Sequence, residues 1–90
     1  MLIELLWDDE AIEHIARHNV TPTEVEDAVY EVRSLILRTR QNRYIVYGQT
    51  GSGRYLKVVI EPLGRERFYP VTAYEMDDTD RQMYRRGSRR

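Results

Sequence analysis

The sequence predicts an α+β domain in which a short strand and two helices precede a four-stranded antiparallel meander and a short last helix. Three observations carry the prediction. The stretch VTPTEV is an unusually complete helix start, the periodicity of apolar residues drops to two from Ser34 onward, and tight-turn residues separate the four alternating stretches that follow. The helices are expected on one face of the sheet.

Taken in order, LIELLW at residues 2–7 fits a short strand, and Asp8 fits the N-cap of a helix whose first turn, DEAIE, holds the acids that the helix dipole favours. Ala11, Ile12, Ile15 and Ala16 are its expected buried stripe, and it should end near Asn19. Thr21 then caps the second helix, Pro22 opens it, Glu24 closes a capping box and Val20 staples onto Val25. Its inward side should be Val25, Ala28, Val29 and Val32. SLILRTR, NRYIVYGQ, GRYLKVVIE and GRERFYPVTAY read as the four meander strands. Pro70 requires an edge or a bulge in the last of them, because it has no N–H for the ladder. Asp77 caps DDTDRQMYRR, whose Met83 and Tyr84 can fold back on the sheet, and residues 87–90 form a flexible basic tail.

The 90 residues suit one domain, spanning 1–86, with a modest core. No cysteine is present, so disulfides and thiolate metal sites are excluded. The apolar start MLIELLW is too short for a bilayer and runs straight into Asp8, Asp9 and Glu10, which predicts a cytoplasmic protein with no membrane partner. The net charge of −1 hides an asymmetry: residues 1–31 hold nine acids and one base, whereas residues 32–90 hold thirteen bases and six acids. All the bases but Lys57 are arginine, whose planar fork suits phosphate. An anionic partner for the C-terminal two thirds follows, set against a solvated surface whose charges neutralise each other.

GQTGSGRY, residues 48–55, is close to a phosphate-binding loop, but Arg54 and Tyr55 stand where that motif has lysine and a hydroxyl, and a strand rather than a helix follows. The glycines therefore predict a hairpin turn that needs positive φ. His14 and His18 have a metal-sharing spacing, yet Ile15 stands where the zinc-protease pattern has glutamate, and no third ligand is evident; no metal or cofactor is expected. What does recur is arginine beside tyrosine: Arg43 and Tyr44, Arg54 and Tyr55, Arg65, Arg67 and Tyr69, then Tyr74, Tyr84, Arg85 and Arg86. Rings that stack on unpaired bases and guanidinium groups that hold phosphates are a common grip on single-stranded RNA. The same residues also suit half-exposed sheet surfaces.

WDDEAIEHIARHNVTPTEVEDAV, GQTGSGRYLKVVIE and RFYPVTAYEMDDTDRQMYRR together resemble the BrnT-type toxins of bacterial type II toxin-antitoxin systems over nearly the whole chain. The shared marks are Trp7 and Asp8, His18 and Val20, Gly48 to Leu56, and Thr72 to Met76. The resemblance implies a RelE-like fold, RNA cleavage, neutralisation by a cognate antitoxin, and DNA contact only through the toxin-antitoxin complex. Metal-free cleavage would run by attack of the ribose 2′-OH, which needs a charge-stabilising clamp and proton carriers. Arg54 with Arg65 or Arg67 is the expected clamp; His18 is the expected proton carrier, with Glu66, Lys57 and Tyr74 as further candidates. Arg43, Tyr55, Tyr69, Tyr84, Arg85 and Arg86 are the expected RNA contacts. The chain departs from the family at helix one, where Ala11 stands and the usual lysine is missing, and after the Thr-Ala pair, where Tyr74 replaces a frequent arginine. A module that binds an acidic antitoxin segment or RNA without cleavage is the alternative.

Overall fold

The structure is a computed structural model and describes residues 3–87. The elements are β1 (Glu4–Leu5), α1 (Asp9–Ala16), α2 (Pro22–Tyr30), β2 (Leu35–Arg38), β3 (Tyr44–Gln49), β4 (Tyr55–Gly64), β5 (Arg67–Glu75) and α3 (Asp78–Gly87). The predicted meander is present as β2 to β5, each strand antiparallel to the next. The first strand adds to it: β1 lies parallel to β5, so the sheet has five strands in the order β1-β5-β4-β3-β2 and is mixed. Of the expected tail at residues 87–90, Gly87 instead closes α3, and residues 88–90 lie outside the described residues.

The helix starts follow local chemistry. The Asp8 carboxylate accepts from the Ala11 N–H at 2.8 Å, and Thr21 and Glu24 form the reciprocal capping box with Pro22 just inside. At α3 the same exchange runs between acids, with Asp80 N–H donating to Asp77 at 2.8 Å and Asp77 N–H to Asp80 at 3.2 Å. Asn19, in the left-handed region at φ 59°, turns the chain between α1 and α2.

Val46 and Tyr47 are neighbours on β3, and both are buried, at 0% and 4% exposure. Adjacent strand residues point to opposite faces, so the sheet is covered on both sides here. One core gathers Ile15, Val20, Val25, Ala28 and Val29 of the first two helices against Val46, Leu56, Val58, Ile60 and Ala73. The other sets Tyr84 and Met83 of α3 against Tyr47, Met76, Ile45 and Tyr55. The helices therefore do not share one face, as the sequence suggested; α3 takes the opposite side because the strand alternation leaves a second apolar row there. Three inward assignments also change. Ile12 is 38% exposed and Ala16 is exposed, since Ala11 and Ile15 are the residues of α1 that are buried, and Val32 lies beyond the end of α2 at 96% exposure.

Pro70 sits at a bulge, where the register of β4 with β5 slips between Val59 and Ile60, and on a part of β5 that β1 does not pair with, so its missing N–H costs the ladder nothing. Among the hairpin glycines, Gly53 has the positive φ that the turn requires, +97°. Gly48 has a different purpose: a β-carbon there would run into the backbone carbonyl of Ala28, so α2 can approach β3 closely only at a residue without a side chain. Gly48→Ala is expected to lower stability by about 3 kcal/mol through forced separation of α2 from the sheet, read as a lower urea midpoint.

Candidate functional site

The face of the sheet that carries α3 brings together most of the titratable side chains with chemistry to offer. On this face Lys57 of β4 stands between Tyr47 of β3 and Tyr74 of β5, its register partners, and its Nζ is 5.7 Å from each ring centre. From α3, Asp80 reaches the same ammonium at 3.7 Å, with 14% of its side chain exposed. Burial pulls the Lys57 pKa down, but Tyr47, Tyr74 and Asp80 outweigh it and the net shift is upward, which keeps the ammonium charged at neutral pH. Burial raises Tyr47 against a smaller downward pull from Lys57, so Tyr47 stays a neutral phenol.

The helix α1 and the turn that follows it bring His14 and His18 to this face from the side. β1 pairs only with Arg67 and Phe68 of β5, and α1 packs against β5 beyond that point. His14 Nε2 lies 3.1 Å from the Thr72 hydroxyl, and the exposed His18 ring meets Tyr74 at 5.7 Å and His14 at 5.8 Å between centres. Three sequence candidates, His18, Lys57 and Tyr74, thus form one continuous patch. Tyr47, Asp80, His14 and Thr72 belong to it as well and were not singled out from the sequence as site residues. Centring the glycine hairpin would have revealed Tyr47, because that register pairs it with Lys57; Asp80 carried no such signal, since it depends on where α3 docks.

The other candidates fall elsewhere. Arg54 is committed: its Nη1 donates to the Asn19 carbonyl at 2.8 Å and to Glu24 at 2.7 Å, and its Nη2 to Glu75 at 3.1 Å. Arg65 and Glu66 form the two-residue turn between β4 and β5, both in the left-handed region at φ 56° and 64°, and Arg67 follows exposed. Turns of this kind usually use asparagine and glycine, so these two residues hold backbone strain. The turn and Arg54 occupy opposite ends of β4, whose ten residues at about 3.3 Å each separate them by about 30 Å. The expected clamp of Arg54 with Arg65 or Arg67 on one phosphate is therefore excluded by distance.

Of the expected RNA contacts, Tyr84 is buried at 4% exposure, and its hydroxyl donates to Glu31 at 3.2 Å; burial first, and the Glu31 charge second, push its pKa to about 12. Its ring belongs to the second core and is not offered to a base. Tyr55 lies beside it edge-on at 6.0 Å, with the Arg81 and Arg85 guanidinium groups 5.5 and 5.7 Å from its ring centre. Among the described residues Arg81 Nε is buried without a hydrogen-bond partner. Tyr69 donates to Asp8 at the start of α1 at 3.0 Å, Arg43 pairs with Glu61 at 4.0 Å, and exposed Arg86 borders a surface groove with Leu35, Leu37 and Thr79. Tyr55 and Arg85 thus adjoin the Lys57 patch through α3, whereas Tyr69 and Arg43 lie toward the opposite end of the strands.

The Glu24 carboxyl is held below its ordinary value of 4.5, chiefly by its hydrogen bond to Arg54 and against a partial desolvation that acts the other way. A depressed carboxylate contributes stability that is complete above the unfolded value and is lost as pH falls through the folded one. Stability is therefore expected to decline below about pH 4.5, and Glu24→Gln should flatten that part of the profile in urea unfolding measured from pH 7 to pH 2.

No protein-family model matches the sequence, and no curated protein does. Among solved structures the fold is similar to that of BrnT, described as a ribonuclease toxin of Brucella abortus, with a TM-score of 0.68 and 16% sequence identity over 86% of this chain and all of that one. Among the described residues no helix is long and apolar enough to cross a membrane. At the level of the fold, this chain is BrnT-like.

Proposed function

We propose that the chain is the toxin component of a toxin-antitoxin pair, a metal-independent endoribonuclease whose chemistry runs on the sheet face between α1 and α3. The observation that carries this reading is the convergence of an exposed imidazole, a charged ammonium and a phenol at His18, Lys57 and Tyr74. Their roles follow from what each can do. The ribose 2′-oxygen attacks the adjacent phosphorus and gives its proton to His18. The bond from phosphorus to the 5′-oxygen then breaks, that oxygen takes a proton from water while His18 returns its own to the solvent, and the products are a cyclic phosphate and a 5′-hydroxyl. Lys57 offsets the charge that grows on the phosphoryl oxygens, and the Tyr74 hydroxyl donates to one of them. Arg81 and Arg85 beside Tyr55 extend the cationic surface for the neighbouring nucleotides.

One observation favours a second reading, a module that binds without cleaving. Lys57 is already paired with Asp80 and Arg54 with two glutamates, so the strongest cations of this region are neutralised within the chain. In either case the protein partner is an antitoxin whose acidic segment covers the same face, and DNA is met only through that complex.

The test is cleavage of a single-stranded RNA oligonucleotide in EDTA by the isolated chain and by Lys57→Gln, both checked for fold by circular dichroism. Fragments with cyclic phosphate ends are expected, with the variant slower by about a hundredfold, the size of effect for removing one charge-stabilising donor. RNA that binds to the wild type and stays intact replaces the enzyme with the binding module.

A further inference from the structure

The glycine hairpin delivers Arg54 to a place where two of its three partners are adjacent in sequence to the proposed chemistry. The Asn19 carbonyl, 2.8 Å from Nη1, follows His18, and Glu75, 3.1 Å from Nη2, follows Tyr74. The third partner, Glu24 at 2.7 Å, belongs to the capping box that starts α2. One rigid guanidinium thus ties together the residue after the imidazole and the residue after the phenol. Successive Cα atoms are about 3.8 Å apart, so holding the Asn19 carbonyl leaves His18 about one residue of slack relative to Tyr74, which the sheet fixes. The observed ring separation is 5.7 Å.

The Tyr74 and Glu75 backbones are already fixed by the β4–β5 ladder, opposite Lys57 and Leu56, so the side of the pair that depends on Arg54 is the corner at Asn19 that carries His18. Asn19 is in the left-handed region, outside α1, and its carbonyl has no backbone donor among the bonds of this corner. The Glu75 side chain is 58% exposed, so its pairing with Arg54 is worth little as stability. Its geometric effect is separate from that energy. We propose that Arg54 is a positioning residue that holds His18 against Tyr74, and that it is not itself a phosphate ligand. The inference deepens the ribonuclease reading and rests on it for its catalytic consequence, whereas the geometric claim stands on its own. A lysine at this position keeps the charge but lacks the planar fork that reaches two acids and a carbonyl at once.

The experiment pairs kinetics with NMR on Arg54→Lys and on Glu75→Gln, which removes one arm of the network at an exposed residue and so survives if the first variant fails to fold. The ring-proton signals of His18 in the wild type report the nearby Tyr74 ring and are assigned by comparison with Tyr74→Leu. In both variants they are expected to move toward their positions in Tyr74→Leu. With a fluorogenic single-stranded RNA, kcat should fall about tenfold or more in Arg54→Lys while KM changes by less than about threefold, in line with the rate cost of a small misplacement. A raised KM with unchanged kcat and unmoved His18 signals would overturn the proposal in favour of a direct RNA contact. Unmoved signals with unchanged kinetics would overturn it in favour of a purely structural ion pair. If the wild type does not cleave RNA, the ribonuclease reading fails, and the His18 signals alone decide whether Arg54 positions the pair.

Discussion

The ion pair between Arg54 and Glu24 sits where four pieces of chain meet: the corner between α1 and α2, the capping box of α2, the β3 to β4 hairpin and the end of β5. Its side chains are 25% and 22% exposed, so the pair is shielded enough to matter and open enough to avoid a large desolvation cost. The hairpin loop is built to deliver that arginine. Thr50, 5% exposed, receives the Arg54 N–H on its hydroxyl at 3.0 Å and sends its own N–H to the Arg54 carbonyl at 2.8 Å, while Gly51 N–H reaches Asp27 of α2 at 3.2 Å. The residues that resemble a phosphate loop in sequence thus bind carboxylates of their own chain, which is a reuse of the same N–H and guanidinium chemistry.

A second constraint follows from covering the sheet on both faces. The close approach of α2 at Gly48 fills one side, and α3 partly fills the other. Because the apolar side of α3 packs over Tyr47 of β3 and Tyr55 at the start of β4, the strip over Lys57, Thr72 and Tyr74 is left to polar residues. Asp80 has two duties there. One oxygen caps α3 and the other faces Lys57, so the helix start and the charge state of the patch are coupled.

Much of the fold was legible because its signals are local. Asp8, Thr21, Pro22, Glu24 and Asp77 announce helix starts through hydrogen bonds made within three or four residues, and the alternation of β3 and β4 with its central glycines fixes the hairpin. The unreadable parts depend on distant partners. Nothing within LIELLW says that β1 will lie parallel to β5, nothing within DDTDRQMYRR says which face α3 will take, and Val32 continued the apolar spacing of α2 past the point where the helix ends. The site divides the same way. Residue type identified His18, Lys57 and Tyr74, whereas the commitment of Arg54 to Glu24 and Glu75, thirty and twenty-one residues away, and the burial of Tyr84 against the sheet are tertiary facts.

The most direct test of the central claim, that the face between α1 and α3 is where RNA meets this chain, is an NMR titration of the wild type with a single-stranded oligonucleotide made uncleavable by 2′-deoxy sugars. The account predicts saturable shifts confined to Tyr47, Lys57, Thr72, Tyr74, His14, His18 and the first two turns of α3, weakening as salt is raised. Shifts centred instead on the strained turn at Arg65 and Glu66, or none at any of these positions, would contradict it.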